Sequence, residues 1–225
     1  MINEFKGWMG EKCTTLNLWV FLDPKRYHRI DNVIVPSENG TTQIDHILVS
    51  VYGIFVIETK NIKGRIYAPP NSAKWTQYLS GKKSQFQNPI KQNYRHTKCL
   101  SDHLKLNHAF FRPLVFFIGD CEFKTDKPAN VIDHDLAAYI RQFKKPCLSQ
   151  KQVDEAIKAL RQLKMDRSLT KKAHLKSLQE RHNSTTVCPK CGKQLVERTT
   201  TKCPDTGRTF IGCSGWPKCK YTRDI

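Results

Sequence analysis

Gln43-Ile44-Asp45-His46-Ile47-Leu48-Val49-Ser50-Val51-Tyr52-Gly53-Ile54-Phe55-Val56-Ile57-Glu58-Thr59-Lys60 reads as two strands joined at a Tyr-Gly turn. Ile44, Ile47, Leu48 and Val49, then Ile54 to Ile57, are the β-branched and large apolar residues that strands favour. Pairing across the turn brings Asp45 close to Glu58. Side chains alternate along a strand, so Glu58 and Lys60 project to one side and Thr59 to the other. Asp45 lies within an apolar strand, where an unpaired carboxylate is costly to bury. His46 follows it directly, points to the opposite face and stays out of any shared site.

Those three groups suit phosphodiester hydrolysis. The reaction calls for a hard divalent cation held by carboxylates, and for a group that orients or deprotonates water and steadies charge on the phosphorus oxygens. Asp45 and Glu58 fit the first task, with Mg2+ or Mn2+. Lys60 fits the second, as a cation against phosphate or, with a lowered pKa, as a base. An isolated acid-x-lysine pattern also describes a strand-end salt bridge. The acid at Asp45 is what turns the reading toward a metal.

Gly40-Thr41-Thr42-Gln43-Ile44-Asp45-His46, Gly53 to Asn61, Gly64 and Asn88-Pro89-Ile90-x-Gln92-Asn93, with Gly10-Glu11 upstream, resemble the nuclease-related domain, a branch of the PD-(D/E)xK nucleases. The resemblance runs over about residues 8–120. It implies an α/β fold, a restriction-endonuclease-like mixed sheet flanked by helices, and a catalytic set of Asp45, Glu58 and Lys60. Glu11, Gln43 and Gln92 would support it. Glu11 lies in Ile2 to Leu22, where Phe5, Trp8, Leu16 and Val20 suggest a helix on the sheet, and a solvated helix acid is its other reading.

Asn88 and Pro89 start a helix, as N-cap and first-turn proline, that runs to about Leu106. Ile90, Tyr94, Thr97, Leu100 and Leu104 form its expected buried stripe. Gln92, His96, Cys99 and His103 fall on another side, the last three read as surface residues rather than metal ligands.

At the carboxyl end, Cys188-Pro189-Lys190-Cys191-Gly192 precedes Cys213-Ser214-Gly215-Trp216-Pro217-Lys218-Cys219. Two cysteine pairs on short knuckles, a hairpin's length apart, are what four thiolates need to enclose one structural Zn2+. Gln194 to Lys202 and Arg208 to Gly212 read as two strands meeting at Pro204-Asp205-Thr206-Gly207. So short a module needs its metal to fold. Cys203 is a spare thiol in it, able to displace one of the four. The pattern resembles the C-terminal zinc finger of type IA topoisomerases, which implies contact with single-stranded DNA through Arg208, Trp216, Lys218, Lys220 and Tyr221. Phe210 reads as core.

The formal net charge of +18 points to a polyanionic partner. The expected organisation is a nuclease-related domain over residues 1–145, a basic helical connector and hinge over 146–184, and a four-cysteine ribbon over 185–225. Val153, Ile157, Leu160 and Leu163, followed by Leu169, Leu175 and Leu178, mark a helical connector whose first part packs on the core, while residues 165–187, with few bulky apolar residues, look like the hinge itself. No apolar run is long enough to span a membrane, no secretory signal opens the chain, and free thiols fit a reducing interior. The location expected is therefore a bacterial cytoplasm, beside the nucleoid. No phosphate-binding glycine loop is present, so any unwinding would fall to a helicase or repair partner.

These readings converge on a Mg-dependent nuclease acting on DNA. A non-catalytic DNA-binding adaptor and an RNA-processing nuclease are the competing readings. Endo- or exonucleolytic cutting and oligomeric state have no signature in the sequence.

Overall fold

A computed structural model describes residues 21–37, 40–189, 191–200 and 206–224. Glu11, Cys203 and nearly all of the expected Ile2 to Leu22 helix lie outside the described residues. The quoted segment forms β2 (Gly40–Ser50) and β3 (Gly53–Lys60), antiparallel, with Ser50 opposite Gly53 and His46 opposite Ile57. Gly53 is required at the turn. Its φ is +132°, and a Cβ there would sit 2.9 Å from the Phe110 carbonyl oxygen.

With β1 (His28–Ser37), β7 (Phe111–Phe117) and β9 (Val131–Ile132), these strands make a mixed five-stranded sheet in the order β1-β2-β3-β7-β9. β7 runs parallel to β3 and β9 parallel to β7. A second sheet, in the order β6-β5-β4-β8, comprises β4 (Gly64–Tyr67), β5 (Lys74–Leu79), β6 (Lys82–Gln87) and β8 (Cys121–Phe123). Leu48, Phe55, Ile57 and Leu114 pack in one apolar cluster, and Ile66, Trp75, Val115 and Phe117 in another. β3 is thus buried on both faces until its last two residues, which explains its unbroken apolar run.

Helix α1 (Pro89–Leu104) begins as expected, with Asn88 Oδ1 accepting from the Ile90 and Lys91 amides, and ends at Lys105 in the left-handed region. Its buried face differs from the expected stripe. Asn93, His96, Thr97, Leu100 and Ser101 are buried, whereas Tyr94 is exposed. The cause is what the helix packs on: Asn93 Nδ2 donates to the carbonyls of Val56 (2.8 Å) and Leu114 (2.7 Å), so a polar residue, not an apolar one, faces the sheet.

After the short α2 (Leu136–Arg141), α3 (Gln150–Met165) opens with a Ser149/Gln152 capping box and buries Val153, Ala156, Ile157, Leu160 and Leu163. The stretch expected as a hinge contains a fourth helix, α4 (Lys171–Asn183), capped by Thr170. The connector is thus helical within the expected hinge, and its buried anchor is His174, whose Nδ1 lies 2.7 Å from Thr41 Oγ1. The chain divides into two compact units at residues 167 and 168, the second also taking residues 36–42.

Within that second unit β10 (Leu195–Thr199) pairs antiparallel with β11 (Thr209–Cys213). A third strand, β12 (Thr222–Asp224), pairs with β11 and had no sequence signal. Among the described residues no helix is long and apolar enough to cross a membrane.

Candidate functional site

Continuing the β2–β3 register by one residue sets Asp45 opposite Glu58, on a shared face of the sheet. Asp45 Oδ2 accepts the Thr59 amide at 3.0 Å. Lys60 Nζ donates to Glu58 Oε1 at 2.6 Å, the same-side relation expected two residues along a strand. The burial is redistributed, however. Asp45 is half-buried, and the deeply buried acid is Glu58, at 4% exposure. The mid-strand position of Asp45 misled the burial argument, since its strand's solid core begins just after it, at His46.

Helix α1 completes the site. Anchored on β3 and β7 through Asn93, it presents Gln92 and His96, one helical turn apart, to Glu58. Gln92 Nε2 donates to Glu58 Oε1 at 2.7 Å, and Gln92 Oε1 accepts from Lys60 Nζ at 3.2 Å. His96 Nε2 lies 3.2 Å from Glu58 Oε2. His96 is therefore buried beside the carboxylate and is not the surface residue expected. Its signal was the shared face with Gln92, which the apolar spacing obscured.

Burial pushes the Glu58 carboxyl up, but the close approach of His96 and the Lys60 charge outweigh it and bring the pKa down to about 2. Glu58 is an ionised, buried carboxylate whose negative charge the chain itself neutralises.

The remaining expected residues lie differently. Gln43 Nε2 donates to Asn32 Oδ1 at 3.2 Å, toward β1. Glu11 lies outside the described residues. His46 is fully buried on the other face, with Nδ1 2.9 Å from Asp31 Oδ1.

In the second unit the sulfurs of Cys188, Cys191, Cys213 and Cys219 all lie within 4.8 Å of one another. The Cys188 to Cys219 separation is 3.7 Å, close to the roughly 3.8 Å edge of a tetrahedral zinc-thiolate site. Burial, reinforced by the three neighbouring sulfurs, pushes the Cys191 thiol up to about 12. Burial also opposes ionisation of Cys213, but the Gly215 amide at 3.2 Å and the adjoining thiols hold its pKa below the ordinary thiol value. Four sulfurs this close cannot all ionise without a cation between them.

Leu195, Ile211 and Tyr221 pack around the sulfurs. Ile211, not Phe210, is the strand residue facing them, because alternation turns Phe210 to the side of Arg198, its cross-strand partner. Trp216 is 57% exposed, with Lys220 Nζ 5.8 Å from its ring centroid. Arg208 pairs with Asp224 at 3.1 Å, and Lys218 is exposed.

Comparison with known proteins finds two family matches, in chain order. The nuclease-related domain profile matches residues 6–118, and that of the topoisomerase DNA binding C4 zinc finger matches residues 185–225. An uncharacterized protein of Bacillus anthracis is 49% identical over 100 residues, covering 44% of this chain and 47% of that protein. DNA topoisomerase 1 from Pyrococcus furiosus and from Pyrococcus horikoshii each share 50% identity over 38 residues, 17% of this chain and 3% and 5% of theirs. The matched segments thus span about half of the Bacillus protein and a small fraction of the topoisomerases. No solved structure matches the chain.

Proposed function

The chain belongs to the nuclease-related domain family, and from that premise we propose that it is a metal-dependent nuclease hydrolysing DNA at Asp45, Glu58 and Lys60. The carrying observation is that the two carboxylates share one face of paired strands while Gln92 bridges Glu58 to Lys60. The donor set fits a hard divalent cation, being carboxylate oxygen with Glu58 ionised at every physiological pH. Asp45 and Glu58 would hold that ion, which when bound would polarise the scissile phosphate and acidify a water.

Each of the chain's own groups then has a task. The Thr59 amide fixes Asp45, while Gln92 and His96 fix Glu58. The Lys60 ammonium, 21% exposed, is the cation able to reach from Glu58 to a phosphate oxygen. Gln43 and Glu11 belong to the proposal as groups that position substrate or metal. In the ribbon, Trp216 offers a face for an unpaired base with Lys220 beside it, and Arg208, Lys218 and Tyr221 complete the DNA-contacting set of the proposal. Carrying both modules on one chain raises the effective concentration of bound DNA at the hydrolytic site. DNA in the cytoplasm is the substrate this arrangement suits.

The test is cleavage of single- and double-stranded DNA by the full chain with magnesium present or omitted. Omission is preferable to chelation, which also strips the ribbon. Asp45→Asn should abolish magnesium-dependent cleavage with binding nearly unchanged. Cleavage that persists in Asp45→Asn would refute the assignment. One observation favours a second reading, the non-catalytic DNA-binding adaptor: both Glu58 oxygens already have protein neighbours in Lys60, Gln92 and His96. Wild-type protein that binds DNA but never cuts it would establish that reading.

A further inference from the structure

From Thr59 to Ser101 the chain carries nine Lys or Arg and no Asp or Glu, half of its formal net charge of +18. That stretch includes β4, β5 and β6, three neighbouring strands of the second sheet. The inner face of the sheet is spent on the core, since Ile66 and Trp75 are wholly buried there. On the outer face the register aligns Arg65 with Tyr78, Tyr78 with Lys83, and Tyr67 with Thr76, and Lys74 shares that parity. Tyr67 is 39% exposed and Tyr78 is 38% exposed. Their ring centroids are 5.5 Å apart at 68°, and Lys83 Nζ lies 5.8 Å from the Tyr78 ring.

We propose that this outer face, centred on Tyr67 and Tyr78 and flanked by Arg65, Lys74 and Lys83, is a stacking platform that holds a single-stranded segment of DNA on the nuclease-related unit. Aromatic rings interleaved with cations on a sheet are the surface that unpaired bases and their phosphates require, since every base has a face to stack and every nucleotide a negative charge. Lysines on the edge strand β6 also discourage sheet-to-sheet pairing. That role accounts for Lys83 but not for two exposed tyrosines and an arginine on β4 and β5. The one acid at a paired position of this face is Glu122, and Lys124 pairs with it.

The platform is fixed relative to the hydrolytic residues. Lys60 and Gly64 are both tied to the Ile118–Asp120 segment, through the Ile118 amide to the Lys60 carbonyl (3.0 Å) and the Gly64 amide to the Asp120 carbonyl (2.9 Å). A side chain on Gly119 would collide with the Ile62 backbone between them. A strand lying on the tyrosines is therefore presented by the same rigid connection that ends the strand bearing Glu58 and Lys60. This inference deepens the proposed nuclease reading by naming unpaired DNA as what the unit grips.

Binding tests it independently of cutting. The full chain carrying Trp216→Ala, so that the ribbon does not mask the effect, is titrated without divalent metal onto fluorescent oligothymidine of about twenty nucleotides. Adding Tyr67→Ala and Tyr78→Ala should weaken anisotropy-detected binding by roughly tenfold or more, and a duplex far less. The Tyr67→Phe, Tyr78→Phe pair keeps the rings and should bind like its parent. Arg65→Gln with Lys83→Gln, which leaves the core face untouched, should lower the slope of log affinity against log salt by about 1. Alanine variants that bind oligothymidine within twofold of the parent overturn the platform. So do equal losses on duplex, an unchanged salt slope, or a preference for oligouridine over oligothymidine. Failure of Asp45→Asn to stop cleavage would sink the hydrolytic reading alone, leaving this binding result standing.

Discussion

Glu58 and Cys191 are each the ionisable centre of their unit's candidate site, yet their protons are pulled in opposite directions. Glu58 is brought down to about 2 because His96 and Lys60 compensate its burial, whereas Cys191 is pushed up to about 12 because burial is joined by other sulfurs. The nuclease-related unit therefore carries its own counter-charge and folds around an anion it has already neutralised. In the ribbon the burial of Cys191 is reinforced, not offset, by the neighbouring sulfurs, and among the described residues its apolar cluster amounts to little more than Leu195, Ile211 and Tyr221 around the sulfurs. In the ribbon a metal is part of the fold; in the first region, under the proposed nuclease reading, it would be a guest that serves the chemistry alone.

Metal removal should split the two regions most sharply. Stripping zinc from the full chain with a strong chelator should unfold β10 to β12, where metal binding supplies on the order of 10 kcal/mol. Amide hydrogen exchange should show those strands losing protection while β2, β3 and β7 keep theirs. Protected ribbon amides in the zinc-free chain would break the contrast.

The same contrast explains what the sequence disclosed. The ribbon was legible from spacing, because two cysteine pairs on short knuckles suit one tetrahedral zinc. The strand pair and the Glu58-Lys60 relation were legible because period-two alternation fixes which side chains share a face. Gln92 came through the family resemblance. His96 was mistaken in kind, and Asn93 was given no role: a helix face that docks on backbone carbonyls and a carboxylate is polar, so apolar spacing rotated the stripe onto Tyr94. The hinge reading of residues 165–187 rested on sparse apolar residues, since the buried anchor of α4 is the polar His174, and β12 is too short to carry a pattern.

Acid should expose the internal neutralisation of Glu58. Its folded-state pKa lies below the ordinary value of 4.5, so the stabilisation is complete above that pH and disappears as pH falls toward about 2. The depression corresponds to about 3 kcal/mol at neutral pH. Chemical denaturation of the nuclease-related unit in the full chain should therefore show a steeper loss of stability between about pH 5 and about pH 2 than in Glu58→Gln. Parallel pH profiles for the two proteins would mean that Lys60 and His96 do not stabilise the anion.

A smaller effect locates where the neutralised site gets its geometry. Asn93 touches neither carboxylate, yet its amide joins the Val56 and Leu114 carbonyls on adjacent parallel strands, and Gln92 and His96 stand on the same helix beside it. Asn93→Ala would remove a buried donor from two backbone acceptors, at a cost of about 1 to 3 kcal/mol. The loss should extend beyond stability. With α1 no longer pinned, Gln92 and His96 hold Glu58 less firmly, and the acid limb of the stability profile should shift toward the ordinary carboxylate value. Asn93→Asp is the sharper probe, because it keeps the size of the side chain and replaces the donor with an acceptor facing two carbonyls. If it unfolds no more readily than wild type and leaves the Glu58 titration unchanged, the helix is held by Leu100 and its apolar neighbours, and the polar anchor does not set the site.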